Sequence, residues 1–323
     1  MSRLATVSLV SFPTLPPNEP DRLNKTLKRM EDCIEQAAHC KSNLVAFPEI
    51  CNQLGASNSW QFEPFDGPTI TAMSRKAKKH SIYVVCPLST LENGQRYNSS
   101  VLISRTGSIL GVYHKNFPTH GELDIGIIPG TETPVFETDF GRVGLCICFD
   151  LNYREVGAGL CANKAELVIW SSMWEGGRML TKWSIEFGFY IGAVYRNRST
   201  LVDICGRKII SLSRSIYDIT QGAAAPLTTA TIDMDRRLLH HDYNMRRLKA
   251  IYEKYGSQAI YAEWLPGECL LIFGSNLSKV STDQIITEFG LETMGEYLAR
   301  VRRDRQLALK GKYLPATNNN LRL

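Results

Sequence analysis

The sequence lacks each of the devices that would assign its class at a glance. No stretch approaches the ~18 uninterrupted apolar residues of a bilayer-crossing helix, so no membrane partner is expected. The opening MSRLATVSLVSF has neither the long apolar segment nor the small-residue cleavage site of a secretory signal. Nine cysteines are scattered along the chain, with no C-x-x-C pair for zinc or for thioredoxin-like redox chemistry. Their odd number does not suggest a disulfide framework, and free thiols without a secretion signal predict a reducing, cytoplasmic setting. The net charge of +5 is too mild, without a concentrated patch, to predict a nucleic-acid partner. Internal repeats are absent, and the only biased tract is the short polar end ATNNNLRL.

What is present has the composition of a globular protein. The chain is 44% hydrophobic and 21% charged, and its 323 residues suffice for one large domain or two ordinary ones. Val7–Phe12 reads as a first strand. Leu23, Leu27, Met30, Ile34 and Ala37 then recur at helical spacing within Asp21–Lys41. Continuous apolar runs at Leu44–Phe47 and Ser81–Pro87, with a helix pattern over 68–80 between them, are typical of strands buried on both faces. A hairpin is expected from Asn98–Ser104 and Ser108–Tyr113 around Arg105-Thr-Gly107. Further strands are predicted at Val135–Phe136, Arg142–Cys148, Glu166–Ser171, Thr200–Ile204, Lys208–Ser213 and Thr228–Ile232, with a helix over Trp183–Arg196. This alternation predicts a mixed, layered α/β domain over residues 1–236. After it, Asp242–Lys254, Thr282–Glu288 and Glu292–Lys312 read as helices of a C-terminal extension, 237–323, whose basic last helix suits a solvated or subunit-facing surface.

Three of the predicted strands end on chemistry: Phe47-Pro48-Glu49, His114-Lys115 and Cys148-Phe149-Asp150. Active groups of open α/β sheets collect where buried strands finish. A thiol, a carboxylate and an ammonium form a complete set for attack on a carbonyl-like carbon. The thiol supplies the nucleophile, the carboxylate takes its proton, and the lysine holds the charge that develops on the substrate. Such a set needs neither a metal nor an organic cofactor.

The stretches LVAFPEI, GVYHKNFPTHGE and GRVGLCICFDLNYRE, in this order, resemble the nitrilase superfamily of carbon–nitrogen hydrolases. The similarity extends to YNSSVLIS upstream and AELVIWSSMW downstream, covering roughly residues 4–235. It implies a four-layer αββα sandwich, with Glu49 as general base, Lys115 as oxyanion-stabilising cation and Cys148 as nucleophile. Glu122 fits the family's second glutamate, which supports the lysine or the substrate. The Phe149 N–H would complete the oxyanion site, and Trp174 and Glu175 fall where the family lines its pocket. HKNFPTHGE is like the lysine motif of true nitrilases, whereas Phe149-Asp150 after the cysteine is like the amidase and carbamoylase branches.

The expected activity is therefore cleavage of an amide or N-carbamoyl group through a Cys148 thioester, releasing ammonia or an amine. The alternatives are a nitrilase, a non-catalytic binding protein of the same fold, and a redox sensor using Cys146 and Cys148. His114 and His120 flank the lysine as loop hydrogen-bonders or substrate contacts, and Asp150, Arg154 and Glu155 read as ion-pairing residues of the turn. The family resemblance also implies a homodimer or larger assembly. The loops Asn52–Gln61, Thr119–Thr131 and Met173–Thr181 would choose the substrate.

Overall fold

The computed structural model describes residues 3–11, 14–16, 18–55, 60–213 and 227–313. The short apolar runs pair into two six-stranded mixed sheets. At the centre of the first, β1 (Leu4–Val10), β2 (Leu44–Ala46) and β3 (Tyr83–Glu92) run parallel. Antiparallel β4 (Gln95–Ile103) and β5 (Ile109–His114) follow. The second sheet repeats the plan. There β7 (Gly141–Ile147), β8 (Leu167–Ser172) and β9 (Tyr190–Tyr195) are parallel. Antiparallel β6 (Val135–Thr138) flanks them on one side, β10 (Arg198–Val202) and β11 (Lys208–Ser213) on the other. β12 (Leu227–Asp233) borders β1. Every residue of β2 and β8 is buried, as expected of central parallel strands covered on both faces.

Helices close the outer faces. From α1 (Arg22–His39), Leu27, Met30, Ile34 and Ala37 join Ile70, Met73 and Ala77 of α2 (Pro68–His80) in one core with Val45, Val84 and Val101 of the first sheet. A single turn, α3 (His120–Asp124), follows β5, while α4 (Arg154–Ala162) and α5 (Arg178–Phe187) accompany the second sheet, with Leu160 against Gly144. The inner faces meet each other: the Ser11 and Ser199 hydroxyls share a 3.1 Å hydrogen bond, and the Ser171 hydroxyl donates to the Phe47 carbonyl at 2.8 Å. The architecture is the four-layer αββα sandwich. Gly192 of β9 has no room for a side chain: an added Cβ would lie 2.8 Å from Ile169 Cδ1 on neighbouring β8 and 3.1 Å from Leu9 Cδ2 on the facing sheet.

Several boundaries differ from the sequence expectations. The helix expected over 183–196 starts earlier and ends at Phe187, where Gly188 turns left-handed (φ 71°), and Tyr190–Tyr195 is the central strand β9. An apolar run of that length suits a buried strand or a buried helix, and the flanking glycine and the slot beside β8 decide for the strand. The β3–β4 connection is a tight hairpin at Asn93-Gly94, both with positive φ, a signal that marks such turns and extends β4 back to Gln95. Helix α4 stands where no element was expected. Phe12, residues 56–59 and the tail ATNNNLRL lie outside the described residues.

Among the described residues, 233–313 together with Arg3 and Leu4 form a compact unit separate from that of Ala5–Ile232. The three expected helices are present as α6 (Met245–Tyr255), α7 (Thr282–Phe289) and α8 (Met294–Leu309). The unit also contains an antiparallel sheet, ordered β13 (Arg236–His240), β15 (Leu270–Ser275), β14 (Ile260–Leu265). Leu239, Leu271 and Phe273 of that sheet pack with Leu248, Ile251, Ile285 and Ile286 of α6 and α7. No described helix is long and apolar enough to cross a membrane.

The tight packing around Gly192 predicts that Gly192→Val lowers stability by about 1–3 kcal/mol through overpacking against Leu9 and Ile169, measured by urea denaturation.

Candidate active site

The first sheet supplies three of the site's groups. β2 ends at Ala46, and two residues later Pro48 leads into Glu49, which is buried. The residue after it, Ile50, has φ 45°, a conformation that a β-branched side chain adopts only when its surroundings impose it. β5 ends at His114 and delivers Lys115, only 2% exposed. Asn98 lies buried on β4, where the Lys115 N–H donates to the Asn98 carbonyl at 2.9 Å.

Glu122 arrives differently. It is the third residue of α3, where the Thr119 N–H and hydroxyl donate to its Oε2 at 2.7 and 3.0 Å. That Thr-x-x-Glu arrangement is a capping box, so local helix chemistry fixes the side chain.

These four side chains form one network. Lys115 Nζ donates to Glu49 Oε1 at 2.9 Å and to the two Glu122 oxygens at 3.0 and 2.7 Å. Asn98 Nδ2 donates to Glu49 Oε1 at 2.8 Å and Glu122 Oε1 at 2.7 Å. Glu49 Oε1 therefore accepts two hydrogen bonds, whereas its buried Oε2 has no hydrogen-bond partner among the described residues. Desolvation opposes the charge of Lys115, but the Glu49 and Glu122 charges outweigh it and raise the lysine above its ordinary range. Desolvation likewise pushes Glu122 up, and Lys115 overrides it, so this carboxyl ends below its ordinary value.

The second sheet brings the thiol. β7 ends at Ile147, and Cys148 opens a short 3-10 turn over Cys148–Asn152 with φ 44°. This left-handed kink turns the chain out of the strand. It is held from outside: Trp170 Nε1 donates to the Cys148 carbonyl at 3.0 Å. Burial and the Glu49 charge push the Cys148 thiol up to about 12, against the opposing pull of Lys115, the Met173 N–H and the Ser172 side chain. The resting sulfur is thus a protonated thiol, with a charged acceptor and an ammonium near enough to bear on it.

The other expected residues are placed as follows. Phe149 packs edge-on to Tyr153 (5.6 Å between ring centres), which stacks on Phe117 at 3.6 Å. Trp174 stands edge-on to Trp170 at 5.5 Å, its N–H donating to the Ser172 hydroxyl at 2.9 Å. Glu175 is exposed and pairs with Arg198 at 2.7 Å, so the structure does not join it to the network. His114 is occupied by Ser99 (2.9 Å) and Glu92 (3.6 Å) and stacked on Tyr97, and His120 is exposed. Arg154 pairs with Glu186, while Asp150 accepts hydrogen bonds from neutral donors rather than pairing with a cation. Cys146 is fully buried within β7, whereas Cys148 has left that strand. Among the described residues, no group of three or more His, Cys, Asp or Glu side chains is arranged to hold a metal ion. Asn98 was read from the sequence only as a strand residue; the YNSS stretch was its sole signal.

The sandwich of two matched sheets thus carries a carboxylate, an ammonium and a thiol at the ends of its strands, an arrangement shared in kind with hydrolases of carbon–nitrogen bonds. The carbon–nitrogen hydrolase family model matches residues 7–240, and the chain belongs to that family. It is 29% identical over 160 residues to a probable nitrilase of Schizosaccharomyces pombe, covering 46% of this chain and 58% of that protein. It is 28% identical over 148 residues to a beta-ureidopropionase of Arabidopsis thaliana, covering 42% and 36%. An omega-amidase of Xenopus laevis is 28% identical over 169 residues, covering 49% and 59%. The matched segment thus spans from about a third to three fifths of the length of these relatives. Among solved structures, Nit3 of Saccharomyces cerevisiae, a member of branch 10 of the nitrilase superfamily, superposes with a TM-score of 0.60 at 18% identity, covering 71% of this chain and 90% of that one. An amidase from Nesterenkonia sp. gives 0.58 at 17% identity, covering 72% and 90%. These similarities share the fold.

Removing the ammonium would strand two buried carboxylates, so Lys115→Met is predicted to cost about 3–5 kcal/mol in urea denaturation at neutral pH, partly recovered by adding Glu122→Gln. The depressed Glu122 contributes stability above the ordinary glutamate range, lost as acid protonates it. The raised Lys115 contributes stability below the ordinary lysine range, lost as alkali deprotonates it. The difference between wild type and Lys115→Met is therefore largest from about pH 5 to about pH 10.

Proposed function

We propose that the protein hydrolyses a non-peptide carbon–nitrogen bond, in an amide or N-carbamoyl group, through a thioester on Cys148. The observation that carries this reading is the division of labour within Glu49. Its Oε1 is committed to Lys115 and Asn98, which leaves Oε2 unengaged as a proton acceptor beside a protonated thiol.

In the proposed reaction, Cys148 Sγ attacks the carbonyl carbon as its proton passes to Glu49. The C=O electron pair moves onto the oxygen, where Lys115 Nζ and the Phe149 N–H hold it; amides in a first helical turn lack intrahelical acceptors. Glu49 then gives its proton to the nitrogen, the C–N bond breaks, and ammonia or an amine leaves. Water attacks the thioester while Glu49 takes one of its protons. The C–S bond breaks, the acid is released, and the proton returns to sulfur. Lys115 remains an ammonium throughout, since Glu49 and Glu122 hold its proton firmly.

An amide or ureide is favoured over a nitrile for two reasons. The Pro-Thr-His-Gly-Glu stretch that suggested a nitrilase has a local duty, since Thr119 and Glu122 cap α3 whatever the substrate. Two of the three named curated relatives, a beta-ureidopropionase and an omega-amidase, also support it, against one probable nitrilase.

Ammonia release from aliphatic and aromatic amides, N-carbamoyl amino acids and the matching nitriles, with Cys148→Ala as blank, tests the proposal. Turnover of an amide or ureide, reduced by a factor of about 10³ or more in the variant, is expected. Activity confined to nitriles would overturn the substrate assignment. No turnover in the wild type would favour a binding protein of the same fold.

A further inference from the structure

Asp150 lies two residues beyond the nucleophile and is completely buried. Three donors fill its carboxylate. The Tyr113 hydroxyl (2.7 Å) and the Ile147 N–H (3.0 Å) donate to Oδ2, and the Phe117 N–H (2.8 Å) donates to Oδ1. The donors' positions give the arrangement its meaning. Tyr113 and Phe117 bracket Lys115, two residues to either side, and Ile147 immediately precedes Cys148. One carboxylate therefore ties the chain that carries the ammonium, at the end of the first sheet's β5, to the chain that carries the thiol, at the end of the second sheet's β7. It also spans the kink at Cys148, whose left-handed backbone persists only if surrounding bonds over-determine it.

We infer that Asp150, with Tyr113, is a positioning residue for the reaction: it sets the separation and orientation of Lys115 Nζ and Cys148 Sγ through the backbones that bear them. The inference rests on the proposed roles of those two residues. A buried carboxylate with no cation of its own is a poor way to gain stability. Burial pushes the Asp150 carboxyl up to about 6, although Tyr113, the Ile147 and Phe117 N–H groups and Lys115 all favour its charged form. Because the folded value is the raised one, ionising Asp150 between the ordinary carboxyl range and about pH 6 removes stability from the fold rather than adding it. The structure keeps the charge because a carboxylate accepts several N–H and O–H donors at once and returns none. The titratable side chains that face Asp150 are Tyr113, Lys115 and Cys146.

The test compares wild type, Tyr113→Phe and Asp150→Asn by three measurements. These are the melting temperature, the rate of Cys148 alkylation by iodoacetamide at pH 8 read by intact mass, and kcat and KM on whichever panel amide the wild type hydrolyses. Tyr113→Phe removes one hydroxyl and leaves the carboxylate and both amide bonds in place. It removes the bond to Asp150 and the weaker one the hydroxyl accepts from the Asn116 N–H at 3.4 Å. It is expected to lower melting only slightly, to slow alkylation and lower kcat about fivefold, and to leave KM alone, as loss of bonds that act on geometry would do. Removing a donor to Asp150 also raises that carboxyl further. The acid limb of kcat near pH 6 should therefore move to higher pH in Tyr113→Phe and be missing in Asp150→Asn. Unchanged alkylation and kcat in both folded variants would overturn the inference, as would losses that merely track the unfolded fraction. If the wild type turns over no panel compound, the hydrolase reading fails, and the alkylation rates still decide whether Asp150 positions the thiol.

Discussion

One buried ammonium held between two carboxylates governs the geometry of this site. Lys115, Glu49 and Glu122 are each almost wholly removed from water, where an isolated charge would be prohibitive. The lysine contacts both carboxylates and Asn98 reaches both as well, so the set survives burial only as a unit. The unit still has one negative charge in excess. Burial first, and then the Glu49 charge, push the Cys148 thiol up, which suits the proposed chemistry of a neutral thiol that gives its proton to Glu49 on attack.

The site also depends on the sandwich being two-sided. The Glu49 carboxylate and the Lys115 ammonium come from the first sheet and the sulfur from the second, so no single βα unit could assemble them. Two pins bring the two sheets' ends together: Ser171 of β8 holds the Phe47 carbonyl beside the Glu49 strand, and Asp150 joins the chains around Lys115 and Cys148. A third, Trp170 of β8 on the Cys148 carbonyl, fixes the kink within the second sheet. The left-handed residues Ile50 and Cys148 stand beside these pins. Their strain is the cost of turning two strands sharply enough to present a carboxylate and a thiol to the same space.

Much of this was legible in the sequence, for identifiable reasons. Glu49, Lys115 and Cys148 each follow a short apolar strand, and polar chemistry directly after such a run is conspicuous. Glu122 was legible by family resemblance alone; its Thr-x-x-Glu capping signal was there but went unread. Asn98 was not, because its partners lie 49 and 24 residues away and nothing local marks a strand asparagine as a bridge between them. Asp150 was misread as an ion-pairing residue because its donors are a hydroxyl and two backbone amides. Glu175 resembled a pocket residue by position, but its carboxylate is taken by Arg198 on the surface. The helix expected over 183–196 fails at Gly188, beyond which the Tyr190–Tyr195 run fills a central strand position that local periodicity does not reveal. The C-terminal sheet went unread because β13 and β14 pair with β15 across a helix and a turn, so that no local alternation announces them.

The central claim, that Cys148 rests as a neutral thiol and yields its proton to Glu49 only on attack, is most directly tested by thiolate ultraviolet absorbance. The signal is the difference between wild type and Cys148→Ala, followed from neutral to strongly alkaline pH. No thiolate from Cys148 is expected near neutrality, and its midpoint should lie far on the alkaline side, lowered in Glu49→Gln because a charge that disfavours the thiolate is gone. A wild-type midpoint at or below about pH 7, in the range of an activated cysteine, would mean a standing thiolate–lysine pair and would contradict the claim.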